Sequence, residues 1–134
     1  MTTFGSLPVS GSALRVFRTW MDAVSDNVAN IATARPTNED AYRARFVVAT
    51  AVEGNNGTGA GVAVSGIELG NAEGRLVFEP SNPMADENGM VRYPDVDLGD
   101  QMTQLLVAQR GYQANLAVVD RVKDAYLQAL QIGK

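Results

Sequence analysis

The side chains that most often do chemistry in proteins are largely missing from this sequence. It contains no Cys and no His, so thiol nucleophiles, disulfides, Cys/His zinc sites and imidazole bases are excluded together. The densest acidic group is Asp95, Asp97 and Asp100. A calcium loop of the EF-hand type that began at Asp95 would need Gly at its sixth position and Glu at its twelfth. Asp100 and Leu106 stand there instead, so these carboxylates read as helix-capping groups. Asp86 and Glu87 read as a solvated turn. Gly57-Thr58-Gly59-Ala60-Gly61 has the composition of a phosphate loop. It lacks both the Gly spacing of a dinucleotide fingerprint and the Lys-Ser/Thr of a P-loop, and reads as the mobile tip of a hairpin. A Ser or Thr nucleophile would have to use Lys as its base, and only Lys123 and Lys134 exist, in or after the C-terminal helix. Phe17, Trp20 and Tyr42 can stack on a ligand, but aromatics at helical spacing are usually core. The expectation is a protein with no catalytic, cofactor-binding or metal-ligating residues.

Composition agrees with a folded, non-catalytic chain. A length of 134 residues is one domain's worth, and 46% apolar residues is enough to build a core. A net charge of −4 argues against nucleic acid or anionic lipid as the main partner, since both select basic surfaces. No apolar run approaches the ~20 residues of a membrane span. Met1 to Gly11 lacks the basic start and apolar block of a cleaved signal peptide. By these signals the chain is cytosolic, unless a route without cleavage exports it.

Three segments differ in pattern. In the first, residues 1–34, Leu14, Phe17, Met21, Val24, Val28 and Ile31 are spaced 3, 4, 3, 4, 3. That is a heptad seam on a helix from about Ser10 to Asn30. Ser10 or Ser12 can cap its start, Asn30 suits a left-handed closing residue, and Pro36 blocks continuation. In the last segment, residues 96–134, a second seam carries Met102, Leu105, Tyr112, Leu116, Val119, Tyr126 and Leu130, with Gln109 and Lys123 as its flaws. It predicts a helix over Leu98–Ile132, capped by Asp95 or Asp97, with Asp100 in the first turn. Leu106, Val118 and Val122 widen its apolar face, and Gly111 is a soft spot costing roughly 1 kcal/mol against Ala. The middle, residues 35–95, reads as β and loop. Strand candidates are Phe46–Val52, Gly61–Leu69, Leu76–Glu79 and Met90–Tyr93, with a flexible turn at Gly54–Gly61 and a tight connection between Pro80 and Pro83.

The expected fold is therefore α+β and mainly helical: two long terminal helices pairing in a coiled-coil-like layer, with a small β-rich insert between them. The two seams are the candidate assembly surface, because a two-helix hairpin leaves much of each apolar face wet. The competing arrangement is a compact α+β monomer with both helices packed on its own sheet.

The motifs carry a resemblance. Ser25-Asp26-Asn27-Val28-Ala29-Asn30 has the form S-x-N-[apolar]-A-N at the end of a heptad helix. This is similar to the signature of the flagellar axial proteins. Asn82-Pro83, Ala85-Asp86, Gly89 and Pro94-Asp95-Val96-Asp97, followed by Met102, resemble the N-P-x-A-D-x-x-G-x-V-x-x-P-N-V-D stretch of the FlgC-type proximal rod family, with Asp95 in place of the usual Asn. Arg110, Tyr112, Gln113, Ala114 and Asn115 match that family's R-x-Y-Q-A-N. The likeness covers nearly the whole chain and is least in the Gly-rich middle.

The resemblance implies a structural subunit that stacks into a tube across the periplasm. It implies export by the flagellar type III apparatus without signal cleavage, an inner layer of terminal helices and an outer β-rich layer. Implied partners are other copies of the chain, other flagellar rod proteins, a rod-base adaptor and components of the membrane ring or export gate. Asn27, Asn30, Gln113 and Asn115 can bond backbone groups at helix ends or across subunits. Competing readings are a sister rod protein such as FlgB, a rod-base adaptor, a small soluble binding domain, and a peptidoglycan-cleaving enzyme. The last needs a carboxylate pair in a cleft, and no convincing pair is visible.

Overall fold

A computed structural model describes residues 5–55 and 57–133. Met1–Phe4, Asn56 of the Gly/Asn-rich turn and Lys134 lie outside the described residues. In chain order the elements are α1 (Ser6–Ala29), β1 (Arg45–Glu53), β2 (Gly59–Leu69), β3 (Arg75–Phe78), β4 (Met90–Tyr93) and α2 (Leu98–Ile132). The class is α+β. The strands form two separate antiparallel pairs, β1 with β2 and β3 with β4.

Local chemistry accounts for most of the boundaries. Asp97 caps α2, its side chain accepting a hydrogen bond from the Asp100 N–H at 2.9 Å. This fills one of the donors that a helix start leaves unpaired. α1 differs from expectation at both ends. It begins four residues earlier than Ser10, because Pro8 falls in the first turn, where its missing N–H costs nothing. Gly5 is the N-cap and offers no side-chain bond. Ser10 and Ser12 are not caps: both are buried on the helix's inner face. Asn30 does close α1, but with φ −103°, outside the left-handed region. Its N–H bonds the carbonyls of Asp26 and Asn27.

α1 is the hub, in contact with α2, β1 and β2. The β1–β2 ribbon crosses it, with register Arg45↔Leu69 through Glu53↔Gly59 and irregularities at Val48/Ala49 and Val52/Glu53. At the crossing, Ser12 Oγ accepts the Val62 N–H at 3.0 Å and donates to its own helix at Val9 O, 2.6 Å. Gly61 sits against Ser12 with φ +130°, and a Cβ there would collide with the Ser12 hydroxyl. Close approach and backbone conformation both require Gly. The β3–β4 pair is tied to the preceding loop by a bridge between Arg35 and Arg92. The Arg92 guanidinium also donates to the carbonyls of Glu73 and Thr37.

The two long helices run antiparallel. Asn27 meets Gln101, Trp20 meets Gln104, and the Phe17 ring lies over Gly111. Leu7 shares an apolar cleft with Val119, Val122 and Tyr126. The core lies where α1, α2 and the strand ends converge, and holds Val16, Ala23, Val24, Ala41, Ala44, Val91, Val96 and Ala108.

Candidate assembly surface

The residues of α2 that face α1 are not its most apolar ones. Gln101 and Ala108 are buried, Gln104 accepts the Trp20 indole N–H at 3.3 Å, Gly111 receives Phe17, and Val122 is buried. These positions are spaced 3, 4, 3 and then 11, which keeps them on one side of a helix. The first four lie one residue earlier than Met102, Leu105, Gln109 and Tyr112. Small side chains and amides let the two backbones approach closely, which bulky Leu and Met would prevent. Gly111 shows this directly, since a Cβ at that position would fall onto the Phe17 ring. Phe17 in turn stacks on Trp20, with ring centroids 6.2 Å apart.

The predicted seam of α2 therefore stays largely uncovered. Met102, Leu116, Tyr126 and Leu130 are exposed, and Leu105, Tyr112 and Val119 are half-buried. Leu106 at 56%, Leu130 at 52% and Ile132 at 87% exposure extend the same apolar character. Leu14, Phe17, Met21 and Val28 of α1 are half-buried, as is Ile31, which lies past the helix end rather than on it. Val24 is only 1% exposed. It is closed within the protomer and adds no free surface. The chain exposes 8999 Å², against about 6,800 Å² for a compact monomer of its 14.3 kDa mass.

The motif residues divide by role. Asn27 is 0% exposed and saturated. Its Nδ2 donates to Arg45 O and Gln101 Oε1, both at 3.0 Å. Its Oδ1 accepts from the Arg45 N–H at 2.8 Å and the Tyr42 hydroxyl at 3.2 Å. That fills every donor and acceptor position an Asn has, so its bonds are made inside the protomer. Burial raises the pKa of Tyr42 above the usual phenol value, although the Arg45 charge opposes this. Ser25, Asn30 and Asn115 bond the carbonyls of Met21, Asp26 and Gly111, each four residues back on its own helix. Ala29, Arg110, Gln113 and Ala114 are exposed and Tyr112 half-buried.

The Asn82–Gly89 motif builds the connection between β3 and β4. Asn82 Oδ1 accepts the Met84 N–H, and Asp86 Oδ1 accepts those of Asn88 and Met90. The other Asp86 oxygen accepts from the Thr37 hydroxyl at 3.0 Å. The Met90 N–H, together with Thr37 and Asn88, holds the Asp86 carboxyl below its ordinary pKa. Glu79 is held low by the Asn82 amide and the Tyr93 hydroxyl. The same contact raises Tyr93. These carboxylates hold a turn in shape, and no group of three or more metal-ligating side chains forms among the described residues.

Sequence reasoning took Ser12 for a cap and Tyr42 for an aromatic able to stack on a ligand, read Gly111 only as a weakness, and missed Gln101 and Gln104. Their one signal is the 3–4 spacing of Gln101, Gln104, Ala108 and Gly111, a line of small and amide residues that resembles ordinary surface.

Residues 87–132 match the family described as flagellar basal body rod FlgEFG protein C-terminal. The flagellar basal-body rod protein FlgC of Bacillus subtilis is 35% identical, and that of Salmonella typhimurium 33%, each over the whole of both chains. The FlgC of Yersinia enterocolitica is 36% identical, again end to end. With identity above 30% sustained over complete chains, and with the helix, capping and turn residues of the motifs in place, the chain belongs to the FlgC family of flagellar basal-body rod proteins.

Proposed function

We propose that this chain, a structural subunit of the flagellar rod and not an enzyme, assembles through the apolar stripe of α2 that α1 leaves open. The observation that carries this reading is the displacement of that stripe from the line facing α1. Met102 and Leu116 remain exposed where α1 and α2 pack together, and Leu130 is exposed further along α2. A tube grows by repeated contacts that do not close on themselves, and a long helix with a free apolar face can supply one side of each contact.

In this reading residues 1–34 and 96–134 form an inner, coiled-coil-like layer of the assembled rod, and residues 35–95 an outer β-rich layer. Leu14, Phe17, Met21, Val28 and Ile31 join the α2 stripe at subunit contacts. The partners are further copies of the chain and other rod proteins, with a rod-base adaptor and membrane-ring or export-gate components at the base. The subunit resides in the basal body, in the periplasmic rod, and reaches it by type III export without signal cleavage. End-to-end similarity to FlgC favours it over a FlgB-like sister protein or an adaptor.

Leu130→Asp and Leu116→Asp test the reading. Each places a carboxylate in an apolar contact, at a cost of several kcal/mol per interface, while altering an exposed side chain of the free protomer. The expected result is normal folding by circular dichroism, loss of motility and no rods in basal-body preparations. Normal rods with both variants would remove the α2 stripe from the assembly surface.

A further inference from the structure

The charges on the two long helices cancel. α1 carries Arg15 and Arg18 against Asp22 and Asp26, and α2 carries Arg110, Arg121 and Lys123 against Asp100, Asp120 and Asp124. Helices of different copies therefore approach without net repulsion, and the placement of each charge decides which edges meet. On α2, Asp120 and Asp124 stand four and eight residues beyond Leu116. Each step of four advances about 40° round a helix of 3.6 residues per turn. The two carboxylates thus border the exposed stripe of Leu116, Leu127 and Leu130, on the edge further from the Gln104–Ala108–Gly111 line that faces α1. On α1, Arg18 stands four residues beyond Leu14 and three before Met21. Leu14 and Met21 are half-buried, and Arg15 and Arg18 are exposed. The same spacing gives α1 an apolar face with a basic edge.

These charges do not meet inside the protomer. The Phe17 ring lies over Gly111 and Trp20 bonds Gln104, so α1 and α2 run antiparallel. Arg18 is therefore level with α2 near residue 110, and Asp124 lies roughly 20 Å further along the helix at about 1.5 Å per residue. By the same measure Arg15 and Asp120 are separated by about 10 Å along the axis. The ion pairs among the described residues are Arg35–Glu39 and Arg45–Asp26, and neither uses these four groups. Of the opposing charges, Asp26 is taken by Arg45, Lys123 lines the Leu7 cleft, and Asp22 follows Arg18 one turn later.

We propose that copies of this chain pack edge to edge, with Asp120 and Asp124 on α2 of one copy meeting Arg15 and Arg18 on α1 of the next. This contact sets the α2 stripe against Leu14 and Met21 of that neighbour. It rests on the reading of the α2 stripe as an assembly surface, and names what receives it. Three residues on one helix span about 4.5 Å and four on the other about 6 Å, so both pairs form in one contact. The two edges are unlike, so the contact does not close on itself and repeats from copy to copy. An exposed ion pair adds little by itself, but like charges set against each other are strongly unfavourable. The pattern therefore selects the neighbour and its register, while the apolar residues supply the adhesion.

Charge reversal and its rescue test this in cells carrying the full chain. Arg15→Glu with Arg18→Glu is one variant, Asp120→Arg with Asp124→Arg is the second, and the third combines all four. All four side chains are exposed, so each variant folds, which circular dichroism checks. The expected result is a fall in rod yield of about 10-fold or more for each of the first two variants, with motility lost. The combined variant is expected to restore both. Normal rods with either single-edge variant overturn the proposal. Loss without rescue in the folded combined variant also overturns it, and gives these edges to other rod proteins. The α2 stripe reading fails separately, through normal rods with Leu116→Asp and Leu130→Asp.

Discussion

Gly111→Ala sets two effects of known size against each other. Gly111 lies inside a helix of 35 residues, where Ala is favoured over Gly by about 1 kcal/mol. On that ground alone the substitution stabilises the protein. In the folded chain, however, the new Cβ falls onto the Phe17 ring. That ring is stacked on Trp20 at 6.2 Å and 18° between planes, and the Trp20 indole is bonded to Gln104 on α2 itself. Phe17 cannot retreat without disturbing Trp20, and overpacking of this kind costs about 1–3 kcal/mol. The steric term is the larger, and a net loss of about 1 kcal/mol is expected, a fall in urea midpoint of about 0.5 M with unchanged slope. The decisive comparison repeats the substitution in a Phe17→Ala background. With the ring gone only the helix term remains, and Gly111→Ala is expected to stabilise by about 1 kcal/mol. Ala114→Gly, on the exposed side of the same helix, calibrates that term. A raised midpoint for Gly111→Ala in the presence of Phe17, or the same sign in both backgrounds, refutes the close-approach argument.

Two further outcomes follow from local geometry. Glu79 and Asp86 both have carboxyl pKa values lowered by the hydrogen bonds of the folded turn. Their contribution is therefore complete above the unfolded carboxylate range of about 4 and is lost as pH falls through their lowered folded values. NMR shifts of Met90 and Thr37 should accordingly hold steady from pH 7 to about 5 and move only in acid, and movement near neutrality would contradict the assignment. Asp97→Ala removes the side-chain acceptor of the Asp100 N–H and should cost about 1 kcal/mol in denaturant unfolding, whereas an unchanged midpoint would mean that solvent caps α2 equally well.

Where a feature depends on a few neighbouring residues, it was legible in the sequence. The span Leu98–Ile132 follows from apolar periodicity and stands in the structure, and of the two candidate caps, Asp95 and Asp97, the structure uses Asp97. The strand Met90–Tyr93 was equally local. The β1–β2 ribbon was legible to within one or two residues, since a Gly/Asn cluster between two β-branched runs specifies a hairpin. The start of α1 is not legible in this way, because Ser10 and Ser12 have the form of caps while the true first turn holds Pro8 and is capped by Gly5 without a side-chain bond.

The sequence by itself determined the chemistry that is impossible here, the order of the elements, and the presence of an apolar stripe on each terminal helix. Only the tertiary structure decided where each stripe points. Periodicity identifies a stripe, but burial in the protomer and burial against a neighbour produce the same spacing. Ser12 read as a cap, Asn27 as an amide for helix ends or subunit contacts and Gly111 as a weak point, and Gln101 drew no reading, for a related reason. The worth of a polar or absent side chain depends on the group that meets it. For Asn27 those groups lie 15, 18 and 74 residues away along the chain, a distance that no local pattern spans and that only folding brings to hydrogen-bond length.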